Sequence, residues 1–120
     1  MKEFRFLDWK VYKEAKELFK SVLEIYRSLP QDIKMSIGGQ LVRSSLSIVL
    51  NIAEGSGKES DKELNRFFDI SVGSSHETLA NLDMLHDNGF IDKLKFDEVF
   101  AKIESITKQL CGFKKKLKNC

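Results

Sequence analysis

Proline occurs once in this 120-residue chain and cysteine twice, and neither sign of charge dominates: 20 Lys and Arg stand against 18 Asp and Glu, a net of +2. Each scarcity excludes something. With one proline and 42% hydrophobic residues, the chain is globular rather than disordered. The two cysteines are Cys111 and Cys120, and the second is the last residue, where no structural disulfide is expected. The reading is a reducing, cytoplasmic setting. A net charge this small does not suit a strongly electrostatic nucleic-acid binder. No run approaches the roughly 18 apolar residues of a membrane span. Met1 to Arg5 lead into an amphipathic segment instead of a signal peptide's apolar region, so no membrane partner is expected.

What charge there is lies unevenly. Residues 1–29 carry seven basic and five acidic groups, residues 30–57 two of each, residues 58–91 three and seven, and residues 92–120 eight and four. An acidic third quarter and a basic end can attract each other, within one fold or between copies.

Apolar residues recur at steps of three and four through most of the chain, and this predicts four helices in one domain over residues 1–120. The first spans about 8–29, with Tyr12, Ala15, Phe19, Val22, Tyr26 and Leu29 on one face and Asp8 as its cap. Pro30 ends it by excluding Leu29 from the α region. The second spans about 32–55, weakened near its start by Gly38-Gly39 and stopped by Gly55 and Gly57. Glycine at 38 and 39 also permits a close helix contact. The third spans about 60–88: Ser60 and Glu63 form a reciprocal capping box, and Gly89 ends it. Its inward face is Leu64, Phe67, Phe68, Ser71, Ser75, Thr78, Leu82 and Leu85. The fourth spans about 95–117, on a stripe of Phe96, Val99, Phe100, Ile103, Ile106, Leu110, Phe113 and Leu117. Short connections between four such helices predict an all-α, antiparallel, up-down-up-down bundle.

The second helix is too apolar for one core. Wound at about 100° per residue, Gln40, Arg43, Ser47, Asn51 and Glu54 fall in a polar stripe about 80° wide, and nearly everything else is apolar. Leu41, Ile48 and Ile52 suit the core. Val42, Leu46, Val49, Leu50 and Ala53 widen the apolar surface to about 200°, twice what one core needs. The surplus predicts self-association, with Val42, Leu46, Val49 and Leu50 as the interface, because soluble monomers rarely leave such a surface open. Glu77 of the third helix is placed to reach Arg43. Asn51 and Glu54 are expected to hold the end of the second helix and its turn by hydrogen bonds.

These residues carry a resemblance. Gln40-Leu41-Val42-Arg43, Ser47-Ile48 and Asn51-Ile52-Ala53-Glu54-Gly55 resemble the signature of the four-helix bundle proteins encoded by intervening sequences of bacterial 23S ribosomal RNA genes. Trp9-Lys10, Pro30, the run Phe67, Phe68, Gly73, Ser74 and Glu77, and the closing Gly89 extend the likeness over nearly the whole chain. Ser44 and Ser45 stand where that family usually has alanines, and Ile33 where an acidic residue is common. The resemblance implies a cytoplasmic bundle assembled as a ring, commonly a pentamer. It also implies kinship with the accessory variability determinant of diversity-generating retroelements, a basic bundle that binds reverse transcriptase and nucleic acid. RNA or a nucleic-acid enzyme is therefore an expected partner, with Arg43, Lys108, Lys114, Lys115, Lys116 and Lys118 as candidate contacts and Lys102 continuing that face. A protein-interaction scaffold without nucleic acid is the alternative.

Catalytic patterns are missing. His76 and His86 are ten residues apart, not the three or four a helical metal pair requires, so no metal or cofactor is expected and both are read as solvated. Gly55-Ser56-Gly57-Lys58 lacks the strand and spacing of a phosphate loop and reads as a turn. Ser44, Ser45 and Ser47 have no neighbouring histidine to activate them. Glu54 and Glu77 read as ion-pairing or capping groups. No enzyme and no small-molecule substrate are expected.

Overall fold

The computed structural model describes residues 4–114, which form four helices and a short leading turn. A 3₁₀ turn, Arg5–Asp8, precedes α1, Lys10–Ser28. Asp8 therefore ends that turn and does not cap α1; Trp9 holds the capping position with an extended backbone and no side-chain bond. Leu29 is extended, at φ −82° and ψ 150°, as the following Pro30 requires. The second helix, α2, runs without a break through Gln31–Ile33, a single π turn at Lys34–Gly38, and Gly39–Ser56. Helix α3 is Asp61–Asp87 and α4 is Lys93–Lys114. The end of the expected fourth helix at Leu117 lies outside the described residues.

The helix ends follow local chemistry. Ser60 Oγ accepts from the Glu63 amide at 3.1 Å, but the Glu63 carboxylate turns to Arg66 instead of reaching back, so only half of the capping box forms. Asp92 Oδ1 accepts from the Lys95 amide at 2.8 Å and starts α4 earlier than its apolar stripe suggests. At the end of α3 the Phe90 amide donates to the Leu85 carbonyl and the Gly89 amide to the His86 carbonyl. This is a Schellman closure, and Gly89 takes the positive φ of 81° that it needs. Gly57, by contrast, ends α2 in the right-handed region.

Residue pairs between helices set the direction of each. From Gly55–Phe67 through Ile48–Ser71 to Ser44–Thr78, numbers fall on α2 as they rise on α3. The same reversal relates α3 to α4 (Phe68–Phe113, Ser75–Thr107, His86–Phe96) and α1 to α4 (Glu14–Gln109, Glu24–Lys95). Neighbouring helices are antiparallel, and α1 sits diagonally across from α3, as α2 does from α4.

The core runs down the centre. Leu18 and Val22 of α1, Leu41, Ile48 and Ile52 of α2, Phe68, Leu82 and Leu85 of α3, and Val99, Ile106 and Leu110 of α4 are fully or almost fully buried. On α1 Ala15, Val22 and Leu29 are buried as expected, but Val11, Leu18 and Ile25, each one position earlier, take the core places expected of Tyr12, Phe19 and Tyr26. Tyr12, Phe19 and Tyr26 flank the buried line, half-buried. The tyrosine rings lie under lysine ammonium groups, Lys16 at 4.9 Å and Lys34 at 5.4 Å, so they cover the core edge while their hydroxyls remain near water. Lys95 ties α4 to α1 through Glu24 at 3.3 Å and meets Glu98 at 3.1 Å. Partial burial pulls the Lys95 pKa down, but hydrogen bonds to Glu98 and Glu24 and their charges outweigh it and hold it above the usual lysine value. This small contribution is present at neutral pH and is lost only as strongly alkaline solution deprotonates the amine.

Gly73 is exposed in mid-α3, and a methyl group added there meets nothing within 4 Å. Gly73→Ala should therefore raise stability by about 0.5–1 kcal/mol, through lower backbone entropy in the unfolded chain. Urea denaturation checks this as an upward shift of the midpoint at constant slope.

Candidate interaction site

The α2–α3 pair is closed by small residues. Ser44, Ser45 and Gly55 of α2 and Ser71, Ser74, Ser75 and Thr78 of α3 are all buried. A Cβ on Gly55 would lie 3.0 Å from Phe67 Cβ and 3.3 Å from Leu64 Cδ1, so the helices touch almost backbone to side chain there. Close approach buries hydroxyls, and each finds a partner. Ser71 Oγ donates to the Ile48 carbonyl across the seam at 3.1 Å. Thr78 Oγ1 lies 2.9 Å from Ser44 Oγ and 2.8 Å from the Ser74 carbonyl. Ser47 and Ser74 share a hydrogen bond of 2.8 Å. Thr107 Oγ1, 2.9 Å from Ser75 Oγ, continues the ladder to α4.

The expected polar motif divides along this seam. Asn51 is half-buried, and its Nδ2 donates to the Ser47 carbonyl at 2.8 Å and to Ser47 Oγ at 3.1 Å. It thus joins the seam one turn back and does not reach the closing turn. Glu54 is exposed, and its carboxylate meets Lys58 at 4.0 Å, a solvated pair of little weight. Backbone bonds from Gly57 to Glu54 and from Lys58 to Gly55, with Ser56 Oγ on the Ala53 carbonyl, hold the turn instead. Gln40, Arg43 and Glu77 are exposed, and Arg43 and Glu77 do not pair. Asn51→Ala should lower stability by about 1 kcal/mol, the net worth of its hydrogen bonds less alanine's better helix propensity. An unchanged denaturation midpoint would remove Asn51 from the seam's energetics.

The surplus apolar residues of α2 divide too. Val49 is 7% exposed and Val42 half-buried, so the fold itself covers them. Val49 is a core residue and not free surface. Leu46 and Leu50 remain, 37% and 55% exposed, with Arg43 one turn before and Glu54 one turn after. Of the basic candidates, Lys108 pairs with Glu104 at 3.9 Å on α4. It lies diagonally across the bundle from Arg43, so the two share no face of one protomer. The Lys114 side chain, Lys115, Lys116 and Lys118 lie outside the described residues.

Sequence reasoning missed a second surface. Between α3 and α4 lie two adjoining hollows of about 380 and 280 Å³, sharing His76, Leu79 and Phe100. Asp83, Ala80 and Phe96 complete the first, and Ile103, Glu104 and Lys108 flank the second. Phe100, expected in the core stripe, is 37% exposed at this groove. His86 is not solvated as expected; it is half-buried with its ring 5.0 Å from that of Phe96. Among the described residues no three His, Cys, Asp or Glu side chains gather to hold a metal ion, and no helix is long and apolar enough to cross a membrane. Cys111 is half-buried on α4 and is not a free thiol, so cysteine usage no longer argues for a reducing compartment. The expectation for Cys120 lies outside the described residues.

A family model for the 23S rRNA-intervening sequence protein matches residues 7–112, a span that contains the Gln40–Gly55 segment and the seam. The chain belongs to that family. A crystal structure of a protein with unknown function from the S23 ribosomal protein family of Bacteroides thetaiotaomicron is similar to it, with 21% identity and a TM-score of 0.80. The likeness covers 85% of this chain and 95% of that one, and it establishes the shared fold. No curated protein matches the chain. In this member, Asn51 and Gly55 serve helix packing, while Arg43 and Glu54 are exposed beside Leu46 and Leu50.

Proposed function

We propose that this chain is a non-catalytic subunit of a homo-oligomeric helical ring, a pentamer, that works in the cytoplasm as a binding scaffold. The observation that carries the reading is Leu50, 55% exposed beside Leu46 on a helix whose core face is already filled. Leucines at helical spacing, bracketed by Arg43 and Glu54, form an apolar strip with a polar rim, which is the anatomy of a protein–protein contact. The ring of five rests on the family resemblance. Light scattering tests the reading: the expected mass is near five chains of 13.8 kDa, at low and at high salt, and the mass of a single chain overturns it.

RNA association is a second reading, favoured by the net +4 of residues 92–120. Since Arg43 and Lys108 sit on diagonal helices, these two share no face of one protomer, and the reading relies on the ring to bring copies of them together. Binding to structured RNA that falls steeply between about 50 and 200 mM salt supports it. A ring that ignores RNA at the lower salt leaves the scaffold reading alone.

A further inference from the structure

The exposed strip of α2 and the groove between α3 and α4 are different faces of one bundle, and their features run in matching order. Along α2 the outward residues are Arg43, Leu46, Leu50 and Glu54: a cation, two apolar knobs, an anion. Along the groove stand Asp83, the larger hollow, the smaller hollow and Lys108: an anion, two apolar holes, and a cation that in the single chain leans on Glu104 at 3.9 Å. Leu46 and Leu50 are one helical turn apart, about 6 Å, and the hollows adjoin at a similar separation, since they share Leu79 and Phe100. The lengths agree as well. Arg43 to Glu54 is about three turns, roughly 16 Å. Thr107 lies against Ser75, so Lys108 stands nearly level with Ser75, and Asp83 is about two turns further along α3, roughly 13 Å away. The flexible Arg and Lys side chains span the remaining few ångströms. Arg43 and Asp83 have no ion pair among the described residues, and Glu54 and Lys108 would exchange long, solvated pairs, with Lys58 at 4.0 Å and Glu104 at 3.9 Å, for one another.

We propose that the occupant of the α3–α4 groove is α2 of a second copy of this chain, with Leu46 in the hollow beside Asp83, Leu50 in the hollow beside Lys108, Arg43 on Asp83 and Glu54 on Lys108. The proposal rests on the self-association reading and gives it a geometry. Knob and hole lie on different faces, so the contact is head-to-tail. Each copy offers a knob to the next, and the chain of contacts closes into a ring or continues as a filament.

Head-to-tail pairing has a signature that a symmetric contact lacks. A knob variant (Leu46→Asp with Leu50→Asp) keeps its groove, and a groove variant (Ala80→Trp with Asp83→Lys) keeps its knobs. Each alone should be monomeric. Mixed, they should form a complex of two chains and stop there, because one intact contact is left and both outer ends are blocked. Circular dichroism verifies that each variant remains helical. If the Trp variant does not fold, the charge pair replaces it: Arg43→Asp and Asp83→Arg each weaken assembly, and the two together restore it. A wild-type oligomer whose groove variants keep the wild-type mass overturns the groove alone, and so does a mixture that stays monomeric. A wild-type monomer overturns the self-association reading as well.

Discussion

Phe68→Ala is expected to lower stability by about 3–5 kcal/mol, the largest single loss in the fold. Phe68 is the bulkiest fully buried side chain. Its ring meets Trp9 edge-on at 6.1 Å and Phe113 edge-on at 5.2 Å, while Trp9 and Phe113 lie 5.7 Å apart. Three rings thus fasten the start of α1, the start of α3 and the end of α4 at one end of the bundle. Truncation opens a cavity that three separate helices would have to shift to fill, so collapse is poor and the loss belongs at the upper end of its class. For a chain of this size, the melting temperature should fall by about 10 °C or more. Trp9 is the only tryptophan, so its fluorescence follows unfolding at the cluster itself. A variant melting within a few degrees of the parent would show that the end cluster carries little of the stability.

Gly55→Leu should be the second large effect, about 2–3 kcal/mol by overpacking. Even a Cβ there lies 3.0 Å from Phe67 Cβ and 3.4 Å from the Leu64 carbonyl oxygen, neither of which is the movable tip of a long side chain. The insertion must push α2 from α3 at this tight contact, stretching the Ser71–Ile48 bond and the Ser47–Ser74 bond with it. The effect opposes the helix-propensity gain from replacing glycine, which Gly73→Ala isolates on the open side of α3. If Gly55→Leu melts like the parent, the spacing of the seam is set elsewhere.

The architecture was legible because it rests on periodicity and punctuation. Pro30, Ser60 and Gly89 act where the sequence places them, since each depends on its own backbone chemistry. The site was legible in part. A helical wheel showed that α2 carries apolar surface beyond one core, but it could not apportion that surface: Val49 turns out to be covered and Leu50 open. The wheel has no knowledge of how deeply α1 wraps one flank. Asn51 and Glu54 sit on one stripe, yet the stripe crosses the edge of the seam, and three residues decide which side of it a group falls. The serines at 44, 47, 71, 74 and 75 and Thr78 looked unremarkable one by one, and they make a hydroxyl ladder only when the helices close. The α3–α4 groove left almost no trace, because a hollow is a property of two helices and of the residues too small to fill it, such as Ala80.

The π turn at Lys34–Gly38 has a consequence for the length of the chain. A π turn is an α-helix holding one residue more than it needs. It lies between the Pro30 corner and the part of α2 that carries the seam and the outward leucines. A one-residue deletion inside it should tighten the turn to ordinary α geometry and leave both flanks in place. The same deletion further along, between Leu41 and Gly55, would rotate everything on one side of it by about 100° and carry Leu46 or Leu50 off its face. The second helix therefore has a single place where the gene can lose a codon cheaply, and it is the stretch before its signature begins.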